Sequence, residues 1–238
     1  MQNLLIAARY ANSAYEDQIR GAKKFYNEKT SMVAYLRKER DQDWLAFRGT
    51  DSMKDWAYNV NFLPIRAHGS WVHWGFWRAH KSIWPEIRKE LDPGRCLNIV
   101  GHSLGGALSE LSVLCLRNES FREINLYTFG KPNVFAKWQR RKGAQLDFPA
   151  FKHQVSVVNS SDVVARVPRI GYRAARNQTQ LWFGPNGDLV NPETRIKRQH
   201  WDLLDSVSDH DMGEYCKRVE ACLNDSDLVA ALSSNVRE

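Results

Sequence analysis

The sequence predicts an α/β fold built on a largely parallel sheet. Short apolar or alternating segments typical of strands are separated by longer segments with the 3.6-residue periodicity of helices. A strand over residues 96–100 leads directly into a helix over 104–117, as in a β–α unit. The 238 residues, 43% of them hydrophobic, suit one domain with a sizeable core, and no repeat, low-complexity tract or linker divides them.

The predicted elements follow one another along the chain. Residues 3–26 have helical spacing, and two strands within residues 31–50 flank the polar segment "RDQD" as a hairpin. Residues 51–76 are rich in aromatic side chains and irregular. Helical periodicity returns over residues 77–91 and ends at "LDPG". The remaining elements are the strand over 96–100, the helix over 104–117, strands over 123–130 and 151–162, a hairpin around 183–189 and a final helix from about 209.

The charge and the first residues suggest partners and a location. The 34 Lys and Arg residues outnumber the 27 Asp and Glu residues, and the net charge of +7 favours anionic partners such as nucleic acid or anionic lipid. Nucleic acid is a poor fit, because basic stretches interleaved with aromatic residues are missing. No apolar run is long enough to predict a membrane span. The first residues are amphipathic, include Glu16 and Asp17 and lack a basic leader region, so we interpret them as a helix and expect a cytoplasmic location, without excluding export by a route other than Sec.

The segment Gly101-His102-Ser103-Leu104-Gly105 fits the G-x-S-x-G pattern of a nucleophile elbow. In such an elbow a serine occupies a strained turn between a strand and a helix, and its neighbours are small because the two elements pass close together. The pattern alone is common, but the predicted strand before it and helix after it favour an elbow over an ordinary glycine-rich turn. We therefore interpret Ser103 as a candidate nucleophile, with the main-chain N–H of Leu104 directed into the same space.

A serine nucleophile needs a histidine that accepts its proton and an acid that orients the histidine. In this kind of fold the acid and then the histidine follow the serine along the chain. Asp162 ends a predicted strand, where a loop acid belongs, and both His200 and His210 follow it. The place of His210 just before the final helix favours it over His200. His102 points away from its neighbour on such a turn, and we expect it to have a structural hydrogen-bonding role.

Seven motifs in this order resemble the class 3 lipases, the fungal-lipase-like branch of the α/β-hydrolases. They are "FRGT" (47–50), "DW" (55–56), "VHWGF" (72–76), "GHSLGGALS" (101–109), "TFGKPNV" (128–134), "NSSDVVARVP" (159–168) and "HDMGEY" (210–215). The resemblance covers about residues 5 to 217 and implies an α/β-hydrolase fold in a single domain, residues 1–238. It implies a triad of Ser103, Asp162 and His210, and an oxyanion hole formed by Thr50 and the N–H of Leu104.

The resemblance also bears on the substrate. It implies hydrolysis of fatty-acyl lipid esters by a lipase or phospholipase (EC 3.1.1) through an acyl-enzyme, with no cofactor and no metal. The family carries its lid in the segment corresponding to residues 51–67, where candidate lid or acyl-chain contacts are Trp56, Phe62, Leu63 and Ile65. The alternative is that these side chains simply pack on the sheet and nothing moves.

Other functions and partners stay open at this stage. A soluble short-chain esterase or thioesterase has the same triad, and a non-catalytic lipid-binding protein would keep the fold; loss of turnover in Ser103→Ala would separate enzyme from binder. Arg166, Arg169, Arg173 and Arg176 follow the acid loop, so we expect peripheral contact with an anionic membrane surface. The alternative use of these arginines is as a solvated face.

Overall fold

A computed structural model describes residues 2–17, 19–50, 63–137, 146, 148–159, 162–168, 171–175, 178–190 and 208–224. The strands are β1 (Lys23–Asn27), β2 (Met32–Lys38), β3 (Gln42–Phe47), β4 (Pro64–Ala67), β5 (Ser70–His73), β6 (Cys96–His102), β7 (Glu123–Phe129), β8 (Phe135–Ala136), β9 (Phe151–Asn159), β10 (Tyr172–Arg173), β11 (Thr179–Phe183) and β12 (Leu189–Val190). The helices are α1 (Gln2–Ser13), α2 (Trp74–Lys81), α3 (Trp84–Glu90), α4 (Leu104–Leu116) and α5 (Met212–Asn224), with a 3₁₀ turn over Val164–Arg166.

Eight strands form the central sheet in the order β1-β2-β3-β6-β7-β9-β11-β12. The five strands β3, β6, β7, β9 and β11 are paired in parallel, whereas β1, β2 and β12 extend the two edges through antiparallel pairs. The predicted parallel sheet is therefore confirmed at its centre, and the sheet as a whole is mixed. A smaller antiparallel sheet has the order β10-β8-β5-β4.

Strand β6 lies in the middle of the sheet, and its side chains alternate between two hydrophobic clusters. Leu97 and Ile99 belong to the cluster that includes α4, whereas Val100 belongs to the cluster that includes α1 and α5. Because side chains alternate along a strand, the two clusters lie on opposite faces. Every residue of α4 is buried, which explains why this helix lacks a polar stripe. The carboxyl end of β6 therefore lies between the two hydrophobic clusters.

Three predicted helices differ in length from the observed ones. The helix predicted over residues 3–26 ends at Ser13, because residues Lys23–Asn27 pair with β2 and bury Phe25 between exposed neighbours. The helix predicted over residues 77–91 starts earlier and consists of two helices, α2 and α3. Pro85, in the first turn of α3, has no N–H with which to continue the main-chain hydrogen bonds of α2. The last helix begins at Met212, after a turn. The predicted hairpins and the strand–helix unit at β6 and α4 are confirmed.

Among the helices in the described part of the chain, none has the length and apolar character needed to cross a bilayer.

Candidate active site

Ser103 lies on a sharp turn between β6 and α4. Its backbone has φ 57° and ψ −128°, a conformation that costs on the order of 1–3 kcal/mol for a residue with a side chain. The Ser103 N–H donates to the carbonyl of Phe129 at 2.9 Å and helps to hold the turn. A Cβ at Gly101 would lie 2.3 Å from the main chain of Gly105, so the approach of strand to helix requires glycine there. The predicted elbow is confirmed.

The three predicted triad side chains meet at this turn. Ser103 Oγ lies 2.9 Å from Nε2 of His210, and Nδ1 of the same ring lies 2.9 Å from Oδ2 of Asp162. Asp162 follows β9 and is fully buried, and its Oδ1 accepts the N–H of Val164 at 2.8 Å. His210 is in the turn before α5 and remains partly exposed. The other candidate, His200, lies outside the described residues.

A tyrosine holds the acid from the opposite side. The hydroxyl of Tyr215 donates to Asp162 Oδ2 at 2.6 Å and accepts the N–H of Asn159 at 3.1 Å. Burial, and next the charge of Asp162, raises the pKa of Tyr215 well above its ordinary value, so the hydroxyl keeps its proton. Asn159 also donates from Nδ2 to the carbonyl of Asp209 at 2.8 Å. This contact ties the residue before His210 to the end of β9.

Thr50 and Leu104, the two predicted oxyanion residues, follow the ends of the neighbouring parallel strands β3 and β6. Leu104 is the first residue of α4, where a main-chain N–H has no partner within the helix. Thr50 follows β3, and its Oγ1 is buried with no hydrogen-bond partner among the described residues. The first turn of α4 packs against the end of β3, since a Cβ at Gly105 would lie 2.2 Å from the carbonyl oxygen of Phe47. The chain segment that precedes Thr50 therefore lies close to the start of α4, which Leu104 begins.

Two further residues, His102 and Gly130, lie near the three side chains. The expected hydrogen-bonding role of His102 is confirmed, because its Nδ1 lies 2.7 Å from the hydroxyl of Tyr15. Gly130 was not predicted to matter. It has φ 53°, and a Cβ there would lie 2.5 Å from Asp162 Oδ2 and 3.1 Å from His210 Nδ1. The sequence signals for it are its place directly after a strand and its place in the motif "TFGKPNV".

The candidate lid is described only at its end. Trp56 and Phe62 lie in residues 51–62, outside the described residues. Leu63 is 62% exposed. Ile65 lies in β4, pairs with Val72 and packs against the core on the α4 face, as in the alternative in which these side chains pack on the sheet. The part of the segment from residue 64 onward pairs as the hairpin of β4 and β5, and the lid expected over residues 51–67 stays a prediction.

A cavity of about 450 Å³ lies beside the 3₁₀ turn, away from Ser103. Lys137, Arg166 and Arg173 contribute positive charge to its lining. Arg166 lies over the ring of Trp182, with 5.6 Å between its guanidinium carbon and the ring centroid. The arginines at 169 and 176 lie outside the described residues. The cavity is a basic feature near the loop of Asp162, and it is separate from the relay of Ser103 and His210.

The chain is similar to fungal lipases in sequence and in structure. It is 28% identical over 161 residues to secreted mono- and diacylglycerol lipase A of Penicillium cyclopium, covering 62% of this chain and 50% of that protein. It is 29% identical over 175 residues to secreted mono- and diacylglycerol lipase 1 of Fusarium solani, covering 66% of this chain and 50% of that protein. The chain thus spans about half the length of these curated relatives. The triacylglyceride lipase structure of Rhizomucor miehei superposes with a TM-score of 0.67 at 21% identity, over 86% of this chain and 92% of that one.

These relatives correct the expected cytoplasmic location. The proteins from Penicillium cyclopium and Fusarium solani are named as secreted lipases, which points to an extracellular location. The expectation relied on the amphipathic character of the first residues. They do form a helix, α1, packed into the core through side chains such as Leu4 and Ala8, but a core helix carries no information about the compartment.

The profile of the family named Lipase (class 3) matches residues 44–172, a segment that includes the elbow, Asp162 and the four adjacent central strands β3 (from Trp44), β6, β7 and β9. The observed fold agrees with this match, since the solved lipase structure shares it over most of both chains. The chain belongs to the class 3 lipase family.

Proposed function

We propose that this chain is a serine carboxylic-ester hydrolase that acts on fatty-acyl lipid esters. The observation that carries the proposal is the continuous relay in which Ser103 Oγ, His210 and Asp162 are joined by two contacts of 2.9 Å on a strained elbow. Membership of the class 3 lipase family supports lipid esters as the substrate class. The names of the Penicillium and Fusarium relatives support mono- and diacylglycerols within that class.

In the acylation step Ser103 Oγ attacks the ester carbonyl while His210 Nε2 accepts its proton. Asp162 keeps the ring of His210 in the tautomer with the proton on Nδ1 and stabilises the imidazolium that forms. The tetrahedral oxyanion then receives the N–H of Leu104 and the hydroxyl or N–H of Thr50. One such donor is typically worth about 10²–10³ in rate. His210 returns the proton to the leaving alcohol, and the acyl group stays on Ser103.

Deacylation repeats the same chemistry with water. His210 accepts a proton from water, which attacks the acyl carbonyl, and Ser103 leaves with that proton as a free hydroxyl. The strain at Ser103 persists only because the surrounding packing enforces it, and it keeps Oγ above the sheet for both steps. The buried Oγ1 of Thr50 supports this scheme. It has no hydrogen-bond partner among the described residues, and an oxyanion would accept its hydrogen bond.

We propose that residues 1–238 act as one domain and that the segment 51–67 carries its lid. Release of butyrate from tributyrin should then rise sharply once the substrate forms droplets. A smooth saturation curve through the solubility limit would contradict a lid that opens at an interface.

Fatty-acid release from a triacylglycerol emulsion, with Ser103→Ala as the inactive variant, tests the activity. Ser109→Ala is the matched control, because Ser109 is also buried, on α4, and its hydroxyl bonds only to the carbonyl of Gly105 at 2.8 Å among the contacts described. We expect turnover by the native protein and by Ser109→Ala, and none by Ser103→Ala. Turnover of p-nitrophenyl butyrate alone would favour the short-chain esterase. Lipid binding without any hydrolysis would favour the binding protein.

We further propose that the protein contacts anionic membrane surfaces. The net charge of +7 and the basic cavity lined by Lys137, Arg166 and Arg173 support this contact. Each basic side chain near an anionic bilayer contributes on the order of 1 kcal/mol, and salt weakens the attraction. Sedimentation with phosphatidylglycerol vesicles, compared with phosphatidylcholine vesicles, tests the contact. Equal binding to both, or no effect of salt, would return these residues to the role of a solvated face.

A further inference from the structure

His102 has no role in the proposed reaction, yet its ring contacts the proposed general base. The ring centroids of His102 and His210 lie 4.5 Å apart, with 37° between the planes. His102 is buried, and its Nδ1 lies 2.7 Å from the hydroxyl of Tyr15, in the turn that follows α1. The His102 ring therefore lies between Tyr15 and His210 and contacts both.

The surroundings of His102 favour a neutral ring. Burial, and next the neighbouring His210, lowers the pKa of His102 well below its ordinary value. Interaction with the main chain of His210 opposes this shift, although Nε2 has no partner at full hydrogen-bond geometry among the described residues. A neutral imidazole donates from one nitrogen and accepts at the other. If the Tyr15 O–H is the donor in its contact with Nδ1, the ring proton is on Nε2.

A neutral and fixed ring matters for the proposed reaction. His210 becomes positively charged when it accepts the proton of Ser103, and a second charged imidazole at this distance would repel it. A ring anchored at Nδ1 is also hindered from turning about its Cβ–Cγ bond. Its face then limits His210 to orientations that reach both Ser103 and Asp162.

The same hydroxyl packs against the predicted oxyanion segment. A Cβ at Gly49 would lie 2.0 Å from the Tyr15 hydroxyl and 2.9 Å from the carbonyl oxygen of His102. Next to it, Arg48 Nη1 lies 3.6 Å from Asp17 Oδ1. The turn after α1, the end of β3 and the elbow therefore meet at Tyr15.

We propose that Tyr15 and His102 are positioning residues: Tyr15 donates to His102 Nδ1, and the ring so fixed holds His210 in line with Ser103 and Asp162. This inference rests on the proposed function, because it assigns the pair a part in the same reaction. Neither residue exchanges a proton with the substrate.

Tyr15→Phe tests the pair by removing one hydroxyl. Tyr10→Phe is the matched control, because Tyr10 is on α1, donates to Glu39 Oε1 at 2.7 Å and stacks on Trp44, remote from the triad contacts described. With p-nitrophenyl butyrate we expect kcat of Tyr15→Phe to fall about tenfold with KM unchanged, the effect expected when one buried hydrogen bond is lost in the transition state. Tyr10→Phe should keep the native kcat. Both should show a similar small decrease in the unfolding midpoint, which separates positioning from stability.

Two further measurements are insensitive to a merely structural role. Nitrogen-15 NMR of the histidines should show the Nε2–H tautomer for His102 in the native protein and lose that single state in Tyr15→Phe. His102→Asn removes the ring and keeps an acceptor near the position of Nδ1. In that variant kcat should already be low, and adding Tyr15→Phe should lower it no further. This double variant keeps the test decisive if Tyr15→Phe alone folds poorly.

A native kcat in Tyr15→Phe, an equal fall of kcat in Tyr10→Phe, or a proton on Nδ1 of His102 in the native protein would overturn the inference. These outcomes leave native hydrolysis intact. Absence of ester hydrolysis in the native protein would instead contradict the proposed function, so the two failures are distinguishable.

Discussion

A buried ion pair next to the site gives a sharp stability prediction. Lys131 Nζ lies 2.9 Å from Glu110 Oε2, and the two side chains are 1% and 0% exposed. The other carboxylate oxygen accepts Nε2 of Gln154 at 3.3 Å. Glu110 is on α4, and Lys131 directly follows Gly130. The pair therefore links the helix behind the elbow to the turn that contacts Asp162 and His210.

Lys131→Met leaves the carboxylate of Glu110 buried, and among the described contacts only the amide of Gln154 then compensates it. Removing one partner of a buried pair typically costs about 3–5 kcal/mol in the free energy of unfolding, because the remaining charge stays desolvated. Glu110→Gln with Lys131→Met removes both charges and keeps an acceptor for Gln154. The double variant should therefore recover about 2 kcal/mol or more of that loss.

Urea unfolding followed by tryptophan fluorescence measures these differences. The control is Lys89→Met, which breaks the pair of Lys89 and Glu86 at 2.8 Å, with both side chains 67% exposed. That change should cost less than about 1 kcal/mol, since exposed pairs contribute little. A loss below about 1 kcal/mol for Lys131→Met, or a double variant as unstable as the single one, would refute the reasoning.

Three further changes have defined outcomes. Tyr215→Phe removes the donor to Asp162 Oδ2, and kcat on p-nitrophenyl butyrate should fall about tenfold while the fold is kept; a native kcat would contradict the role of this hydroxyl. Burial lowers the pKa of His80 from 6.5 to about 3. Between these pH values the unfolded chain binds a proton at this histidine that the folded protein does not bind. The free energy of unfolding therefore falls as the pH falls from about 6.5 to 3, by up to about 1.4 kcal/mol per pH unit. His80→Gln should remove that slope, measured by urea unfolding at pH 7.5 and pH 5, and an unchanged slope would contradict it. Gly105→Ala places a Cβ 2.2 Å from the carbonyl oxygen of Phe47, so the soluble yield and the thermal midpoint should fall together with esterase activity, and a stable, active variant would contradict the close approach.

The meeting of Ser103, His210 and Asp162 was predictable because it follows from local signals and chain order. A strand, a turn of small residues and a helix specify the elbow, and the carboxyl ends of parallel strands share one edge of the sheet. Asp162 follows one of those strands, so its side chain belongs at the same edge as Ser103. His210 required a choice between two histidines, which position favoured and the resemblance supported.

The contacts that support the triad were not predictable in the same way. Tyr15 and His102 are 87 residues apart, and no local pattern pairs them. The ion pair of Glu110 and Lys131 arises because α4 is buried on all sides, so a charged residue on it must find a partner in the sheet layer. The predicted helix ends were wrong where strand pairing outweighed helical periodicity, as in Lys23–Asn27, which pair with β2 in the sheet.

Covalent labelling tests the central claim most directly. The native protein is incubated with diethyl p-nitrophenyl phosphate, whose phosphorus is attacked by an activated serine with release of p-nitrophenolate, and the labelled peptide is identified by mass spectrometry. The relay of Ser103, His210 and Asp162 predicts one diethylphosphoryl group on Ser103, loss of ester hydrolysis in step with labelling, and no label in Ser103→Ala. Labelling of another residue, or ester hydrolysis that survives in Ser103→Ala, would contradict the claim that this elbow carries the nucleophile.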